Sequence, residues 1–204
     1  MKLALLGASG HGKVIAEIAE LIGYNDVIFF DDAWPAKNQI GPWFIEGNTD
    51  SLIARKNEFD ACIVSIGNNS IRQKKQCDLQ QQDLCFVCLV HPNAVVSRYA
   101  SVDVGTVIMA GTVVNAFTKI GQGCIVNTGA TIDHDCVLDD FVHISPGAHL
   151  AGDVSVSAFS WIGIGASVKQ GICIGFNAII GAGSVVISDI PADSVAVGIP
   201  AKIK

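Results

Sequence analysis

Residues Thr106–Gly147 read TVIMAG-TVVNAF-TKIGQG-CIVNTG-ATIDHD-CVLDDF-VHISPG. The third residue of every hexapeptide is aliphatic: Ile108, Val114, Ile120, Val126, Ile132, Leu138 and Ile144. The first is small or β-branched: Thr106, Thr112, Thr118, Cys124, Ala130, Cys136 and Val142. Worked outward, the aliphatic spacing reaches back to Val102 and Val96. It runs forward through Leu150, Val156, Ile162, Val168, Ile174 and Ile180 to Val186, with one bulky residue, Ile172, at the small position. A period of six fits neither an α-helix nor an amphipathic strand. It fits a solenoid of short strands, in which each hexapeptide sends one aliphatic side chain into a narrow core and then turns a corner. Three such hexapeptides make one triangular coil. Eighteen residues therefore return the chain to the same face, and the array predicts about five coils stacked at ~4.8 Å.

Upstream, residues 1–91 predict alternating strand and helix. Lys2–Leu6 is an apolar strand, Gly7–Gly12 a glycine-rich turn, and Lys13–Ile22 has the apolar spacing of a helix. Val27–Phe30 is a second strand ending at Asp31 and Asp32. Residues 33–50, rich in Gly and Pro, read as loop with a short strand. Ala61–Ile66 is a buried strand leading into Gly67, Asn68 and Asn69. The polar run Ile71–Gln82 is a solvated helix and Cys85–Val90 another strand. The expected fold is thus an α/β N-terminal domain with a small Rossmann-like parallel sheet over 1–91, then the hexapeptide solenoid over 92–204. After Ile187 the six-residue pattern decays into a tail, Gly198–Lys202.

Half of the 204 residues are hydrophobic and only 16% are charged. So apolar a surface predicts self-association. The net charge of −6, with no basic cluster, argues against nucleic acid. No apolar run is long enough for a membrane span, and the first residues break at glycines too early for a signal peptide. The seven cysteines, mostly in apolar strand-like contexts, read as buried thiols of a reducing cytoplasm.

The hexapeptide array with its Gly198-Ile-Pro-Ala-Lys202 ending resembles the left-handed β-helix acyltransferases. Gly7-Ala-Ser-Gly10-His11-Gly12, Phe30-Asp31-Asp32, Ile66-Gly67-Asn68-Asn69 with Arg72, and Asn127 followed by Ile132-Asp133-His134-Asp135-Cys136 sharpen the likeness. They resemble the UDP-amino-sugar N-acetyltransferases and the sialic acid O-acetyltransferases. The resemblance implies a left-handed solenoid, a homotrimer, acetyl-CoA as co-substrate with no metal, and a UDP-linked 4-amino-4,6-dideoxy-N-acetylhexosamine as acceptor. It places the catalytic histidine at His134 and its orienting carboxylate at Asp135, where the family carries Glu. Gly152 becomes an oxyanion donor and His143 a neighbour of the thioester.

The residues support parts of this independently. An amine attacking a thioester must lose a proton, and a carboxylate-oriented histidine is a competent base near neutral pH. Gly152 lies eighteen residues after His134, one coil beneath it, where a glycine lets a backbone N–H approach a developing oxyanion. The turn containing Gly10, His11 and Gly12 follows a strand and precedes a helix, a place suited to phosphate. Its spacing is not the dinucleotide G-x-G-x-x-G. Asp31 and Asp32 fall where an acid meets a ribose or base in related folds. Gly67, Asn68, Asn69 and Arg72 follow another strand end, and with Asn127 they are candidate sugar-nucleotide contacts. Lys169, Lys202 and Lys204 are candidates for coenzyme A phosphates. Rival readings are an O-acetyltransferase, a carbonic anhydrase-like zinc trimer using His134, His143 and His149, and a nucleotide-sugar-binding scaffold.

Overall fold

The computed structural model describes all residues, 1–204. They fall into two compact units, Met1–Pro92 and Asn93–Lys204.

In the first unit, β1 (Lys2–Leu6), α1 (Gly10–Leu21), β2 (Asp26–Phe30) and β5 (Ala61–Val64) enclose a short hairpin, β3 (Gln39–Ile40) with β4 (Trp43–Phe44), and α2 (Thr49–Ala54); α3 (Asn69–Gln80) follows β5. The sheet is parallel in the order β2-β1-β5, with Lys2 opposite Asp26 and Leu3 opposite Ala61. Its central strand is apolar almost throughout because parallel sheets are covered on both faces. Leu3, Ala4, Leu5 and Leu6 are all buried. The glycine turn is shorter than the sequence predicts: α1 already begins at Gly10. Close packing explains Gly12. A Cβ there would stand 2.7 Å from the Gly7 carbonyl oxygen and 2.9 Å from Phe29 Cε1.

Three sequence expectations need correction. The Ile71–Gln82 helix is α3, and it is not simply solvated. Arg72, Gln76 and Leu79, at helical spacing, are buried. Cys85–Val90 is not a continuous strand; Phe86 bridges to Cys62, and only Leu89–Val90 is extended pairing. That break leaves Cys85 and Cys88 exposed. Cys173 is exposed too, because it points outward from its strand. Cys62, Cys124 and Cys136 are buried thiols.

The second unit is a parallel β-solenoid. Its first face stacks Val95–Val96, Val113–Val114, Thr131–Ile132, His149–Leu150, Ser167–Val168 and Val185–Val186. The second runs from Ser101–Val102 to Cys173–Ile174 and the third from Val107–Ile108 to Ile179–Ile180. The array outlasts the sequence pattern. Ile190 bridges to Ile174, and Val195–Val197 pairs in parallel with Ile179–Ile180. A sixth turn is thereby completed where the hexapeptide register predicts five.

From Ile108 to Val186 every aliphatic of the register is at most 3% exposed. The small column is buried beside it, and most of its polar members are satisfied in one repeated way. Thr106, Thr112, Thr118 and Ser160 donate their hydroxyls to the carbonyls of Gly121, Asn127, Asp133 and Gly175, each fifteen residues on. The Cys124 and Cys136 thiols do the same to Asp139 and Ala151. Each corner needs one left-handed residue. Every sixth position from Gly105 to Gly183 has positive φ. Glycine, Asp and Asn hold most of them at low cost, whereas Phe117, Phe141 and Phe159 hold three despite the clash expected of a bulky side chain.

Candidate active site

Residues 133–136 turn the corner between the first and second faces. Asn115–Thr118 stack on them from the preceding coil and Ala151–Val154 from the next, as Asp135 N–H to Ala116 carbonyl (3.1 Å) and Asp153 N–H to His134 carbonyl (2.9 Å) record. His134 projects from this edge, about half exposed. Its Nδ1 lies 2.8 Å from Asp135 Oδ2. Asp135, shorter than the Glu that the resemblance implies, nevertheless reaches the ring. With Nδ1–H donating to the carboxylate, the neutral ring presents Nε2 as the proton acceptor. The Asp135 hydrogen bond, with further attraction from Asp133 and Asp153, holds the His134 pKa above its ordinary value.

Asp133 braces the corner from behind. Its Oδ1 accepts the His134 backbone N–H (2.8 Å) and the Asn115 side-chain amide (2.8 Å), which together hold its carboxyl below the usual range. Neither support stands out in the sequence, although Asn115 sits eighteen residues before Asp133, one coil above. Gly152 lies against the face of the imidazole. A Cβ at that position would stand 2.6 Å from both Cε1 and Nε2 and 3.1 Å from Nδ1. Only glycine leaves room for the ring where it is. Lys169 shares this edge one coil below Ala151, exposed.

His149 points outward from the first face beside this corner, its Nδ1 2.9 Å from Thr131 Oγ1. It lines a groove of about 430 Å³ together with Asn115, Thr131, Asp133 and Ala151. His143 lies on the third face. It is stacked on Trp161 (5.2 Å, 9° between planes), with Nε2 3.4 Å from the Asn127 amide nitrogen. Trp161 donates its indole N–H to Ser145 Oγ at 2.6 Å. An apolar cavity of about 440 Å³, bordered by His143, Trp161, Ile164 and Ile179, opens beside them. Within one chain, His134, His143 and His149 thus occupy a corner and two different faces. Asn127 joins His143 rather than His134.

In the first unit, the leading N–H groups of α1 carry no side-chain cap, since Ser9 does not provide one. His11 sits in this first turn. Burial, with the Arg72 charge adding to it, pushes its pKa down to about 4, and its buried Nε2 has no hydrogen-bond partner. Asp31 ties the turn, accepting Ala8 N–H at 2.7 Å and Ala33 N–H at 2.9 Å; Lys37 caps the Ala8 carbonyl. Asp32 accepts the Thr49 backbone and hydroxyl (3.0 and 2.6 Å) and pairs with Lys75 at 2.6 Å. Burial alone would raise its pKa, but the Lys75 and Thr49 hydrogen bonds outweigh that and hold it at about 2.

Arg72 is 1% exposed. Its guanidinium donates to the Ile66 and Gly67 carbonyls (3.0 Å each) and to Asn69 Oδ1 (2.7 Å). It buttresses the Gly67–Asn69 turn, and Asn68 caps α3 through Ile71 N–H. Asp31, Asp32, Asn68, Asn69 and Arg72 thus all have partners within the protein. Of the sequence candidates here, His11 is the one with a buried side-chain polar atom left without a partner.

Comparison with known proteins finds relatives that share the fold over the whole chain. A family model described as the PglD N-terminal domain matches residues 2–79. The acetyltransferase domain of PglB from Neisseria gonorrhoeae, solved with acetyl coenzyme A, is 41% identical with a TM-score of 0.96, over 100% of this chain and 98% of that one. Perosamine N-acetyltransferase from Caulobacter crescentus, a point mutant solved with CoA and GDP-perosamine, is 35% identical with a TM-score of 0.96, over 100% and 97%. UDP-N-acetylbacillosamine N-acetyltransferase of Bacillus subtilis is 39% identical over 112 residues, 53% of this chain and 51% of that protein. The chain spans about a third of the length of its Staphylococcus aureus relatives, at 42% identity over 64 residues.

Proposed function

We propose, for a chain that belongs to the hexapeptide-repeat acyltransferases, that it transfers the acetyl group of acetyl-CoA to the 4-amino group of a nucleotide-linked 4-amino-4,6-dideoxy sugar. The observation that carries this reading is the His134–Asp135 pair at 2.8 Å on an open edge, with Gly152 against the ring. His134 Nε2 takes a proton from the amine as its nitrogen attacks the thioester carbonyl. The C–N bond forms, and a tetrahedral oxyanion develops near the Gly152 N–H. The C–S bond then breaks, and the coenzyme A thiolate leaves and is protonated. Attack is direct, with no acyl-enzyme. Cys136, the thiol nearest this corner in sequence, is buried, and burial raises its pKa, the opposite of an activated nucleophile.

The remaining assignments belong to the same reading. UDP is the expected nucleotide and an N-acetylhexosamine the expected sugar, supported by the likeness to the Bacillus subtilis enzyme. Gly10, His11, Gly12, Asp31, Asp32, Gly67, Asn68, Asn69 and Arg72 form or brace the nucleotide-sugar site, and Asn127 contacts the sugar. His143 and Lys169 serve acetyl-CoA. The protein works as a homotrimer in the cytoplasm; no helix is long and apolar enough to cross a membrane.

The test is thiol release from acetyl-CoA with UDP- and GDP-linked 4-amino sugars, CMP-sialic acid and free sialic acid as acceptors. Turnover with the UDP-amino sugar is expected. Turnover with the hydroxyl acceptors alone would replace N-acetylation by O-acetylation, and uridine-nucleotide binding without thiol release would leave only a scaffold.

A further inference from the structure

The edge that carries His134 carries more. Eighteen residues before Asp135 stands Phe117, and eighteen before that Tyr99, so that Tyr99, Phe117 and Asp135 form one column on successive coils. The two rings stack, with centroids 5.6 Å apart and 27° between planes. Both are open, Tyr99 55% and Phe117 60% exposed. Arg98 lies over the Tyr99 ring at 4.8 Å and donates Nη2–H to its hydroxyl at 2.7 Å. An exposed aromatic pair is unfavourable in water. Phe117 is more so, because it occupies a left-handed corner position with φ 63° that glycine fills at Gly111 and Gly123. Phe141, at an equivalent position on another corner, is 2% exposed, so burial accounts for it. Within one chain, burial does not account for Phe117.

We infer that Phe117, backed by Tyr99, forms a stacking platform for the sugar ring of the acceptor, with Arg98 meeting its diphosphate. This deepens the function proposed above and rests on His134 being the base. The spacing fits. Phe117 is one coil from the His134 corner and Arg98 two, ~10 Å along the edge. That is about the span from the 4-amino group of a pyranose, across its ring, to the outer phosphate of the diphosphate on its anomeric carbon. The C–H face of a pyranose, and above all a 6-deoxy sugar with a methyl group, is apolar enough to lie on aromatic rings. The diphosphate then meets a guanidinium, whose fork suits phosphate oxygens. The platform would seat the amine at Nε2 and favour deoxy sugars over fully hydroxylated ones.

The test compares Phe117→Gly with Phe117→Tyr in the full chain. Glycine removes the ring at a position whose backbone it suits, so the variant should fold with no loss of thermal stability. Phe117→Gly is expected to raise the KM for the UDP-linked 4-amino sugar about tenfold. The KM for acetyl-CoA and the midpoint of the acid limb should stay as they are, and Phe117→Tyr should restore acceptor affinity. Arg98→Gln should weaken the acceptor and flatten the salt dependence of its KM. An unchanged acceptor KM, or an equal change for both substrates, overturns the platform. So does a change in particle mass by light scattering, which would mean that the rings are covered by a second copy. Calorimetric binding of the acceptor to His134→Asn, with and without Phe117→Gly, separates the two ideas. If His134→Asn still turns over, the base assignment fails while the binding comparison still judges the platform.

Discussion

Gly152→Ala probes the site with one methyl group. The added Cβ would come within 2.6 Å of His134 Cε1 and Nε2, where ordinary contacts lie at 3.4–4 Å. The ring must withdraw by about 1 Å, and it is free to do so because the side chain is 53% exposed. Withdrawal costs little in folding, since no core atom is displaced. It costs catalysis in two ways: Nε2 leaves its place, and the 2.8 Å hydrogen bond to Asp135 stretches or breaks. A misplacement of about 1 Å in a reacting group costs on the order of a hundredfold in rate. The expected outcome, read by thiol release at saturating acetyl-CoA, is a kcat reduced about a hundredfold with the thermal midpoint within a degree or so of the parent. Survival of kcat to within a factor of about three, at the same stability, would mean that the ring position is immaterial to turnover. The proposed base would then be wrong.

Other expectations follow from the same geometry. His134→Ala should lose about a hundred- to ten-thousandfold in kcat while acetyl-CoA still binds by calorimetry; near-normal turnover removes its role. The base must be neutral to act, and its pKa is raised chiefly by the Asp135 hydrogen bond. Activity should therefore fall as pH drops through that raised value, and Asp135→Asn should move the acid limb to lower pH while lowering kcat. The linked stability has the opposite sense: it is present below the unfolded pKa of histidine and lost as pH rises through the folded one. An acid limb unmoved in Asp135→Asn would break the link between the two residues. Gly12→Ala would place a Cβ 2.7 Å from the Gly7 carbonyl oxygen and should destabilise the protein by about 1–3 kcal/mol in denaturant melts. Thr118→Val deletes the buried hydroxyl that donates to the Asp133 carbonyl at 2.6 Å. A loss of about 1–3 kcal/mol is expected, and a neutral effect would show that this carbonyl finds another donor.

How far the sequence can be read depends on which periodicity is at work. The solenoid is legible because burial acts on two columns at once, the aliphatic one and the small one, and both stay in phase over sixteen hexapeptides. The sixth turn is not, because Ile190 and Ala196 come sixteen residues after their partners Ile174 and Ile180 rather than eighteen, and that shortfall breaks the count. The His134 corner is marked by its flanking acids and by the residue eighteen positions on. The same interval applied backward places Asn115 above Asp133 and Phe117 above Asp135. In the first unit the polar composition of α3 conceals its inward face. Arg72 and Gln76 are buried, and Arg72 is satisfied by a backbone turn that offers it carbonyls rather than apolar groups. Hydrophobic patterning is blind to that. Analogy with ribose-binding acids points to Asp31 and Asp32, yet both carboxylates are engaged by Ala8, Ala33, Thr49 and Lys75, contacts that mostly join distant stretches of chain and leave no local signature.

The stacked corners make length changes in this protein quantised. Eighteen residues added or removed as a complete circuit would slide the platform and the imidazole apart or together by one rung, ~4.8 Å, while both stayed on one edge. Six or twelve residues would swing everything downstream round to a different side of the prism. A family built this way can lengthen its reach toward a longer acceptor only in whole steps. Finer adjustment has to come from which side chain occupies each left-handed corner, and that is where Asp135, Asp153 and Phe117 stand.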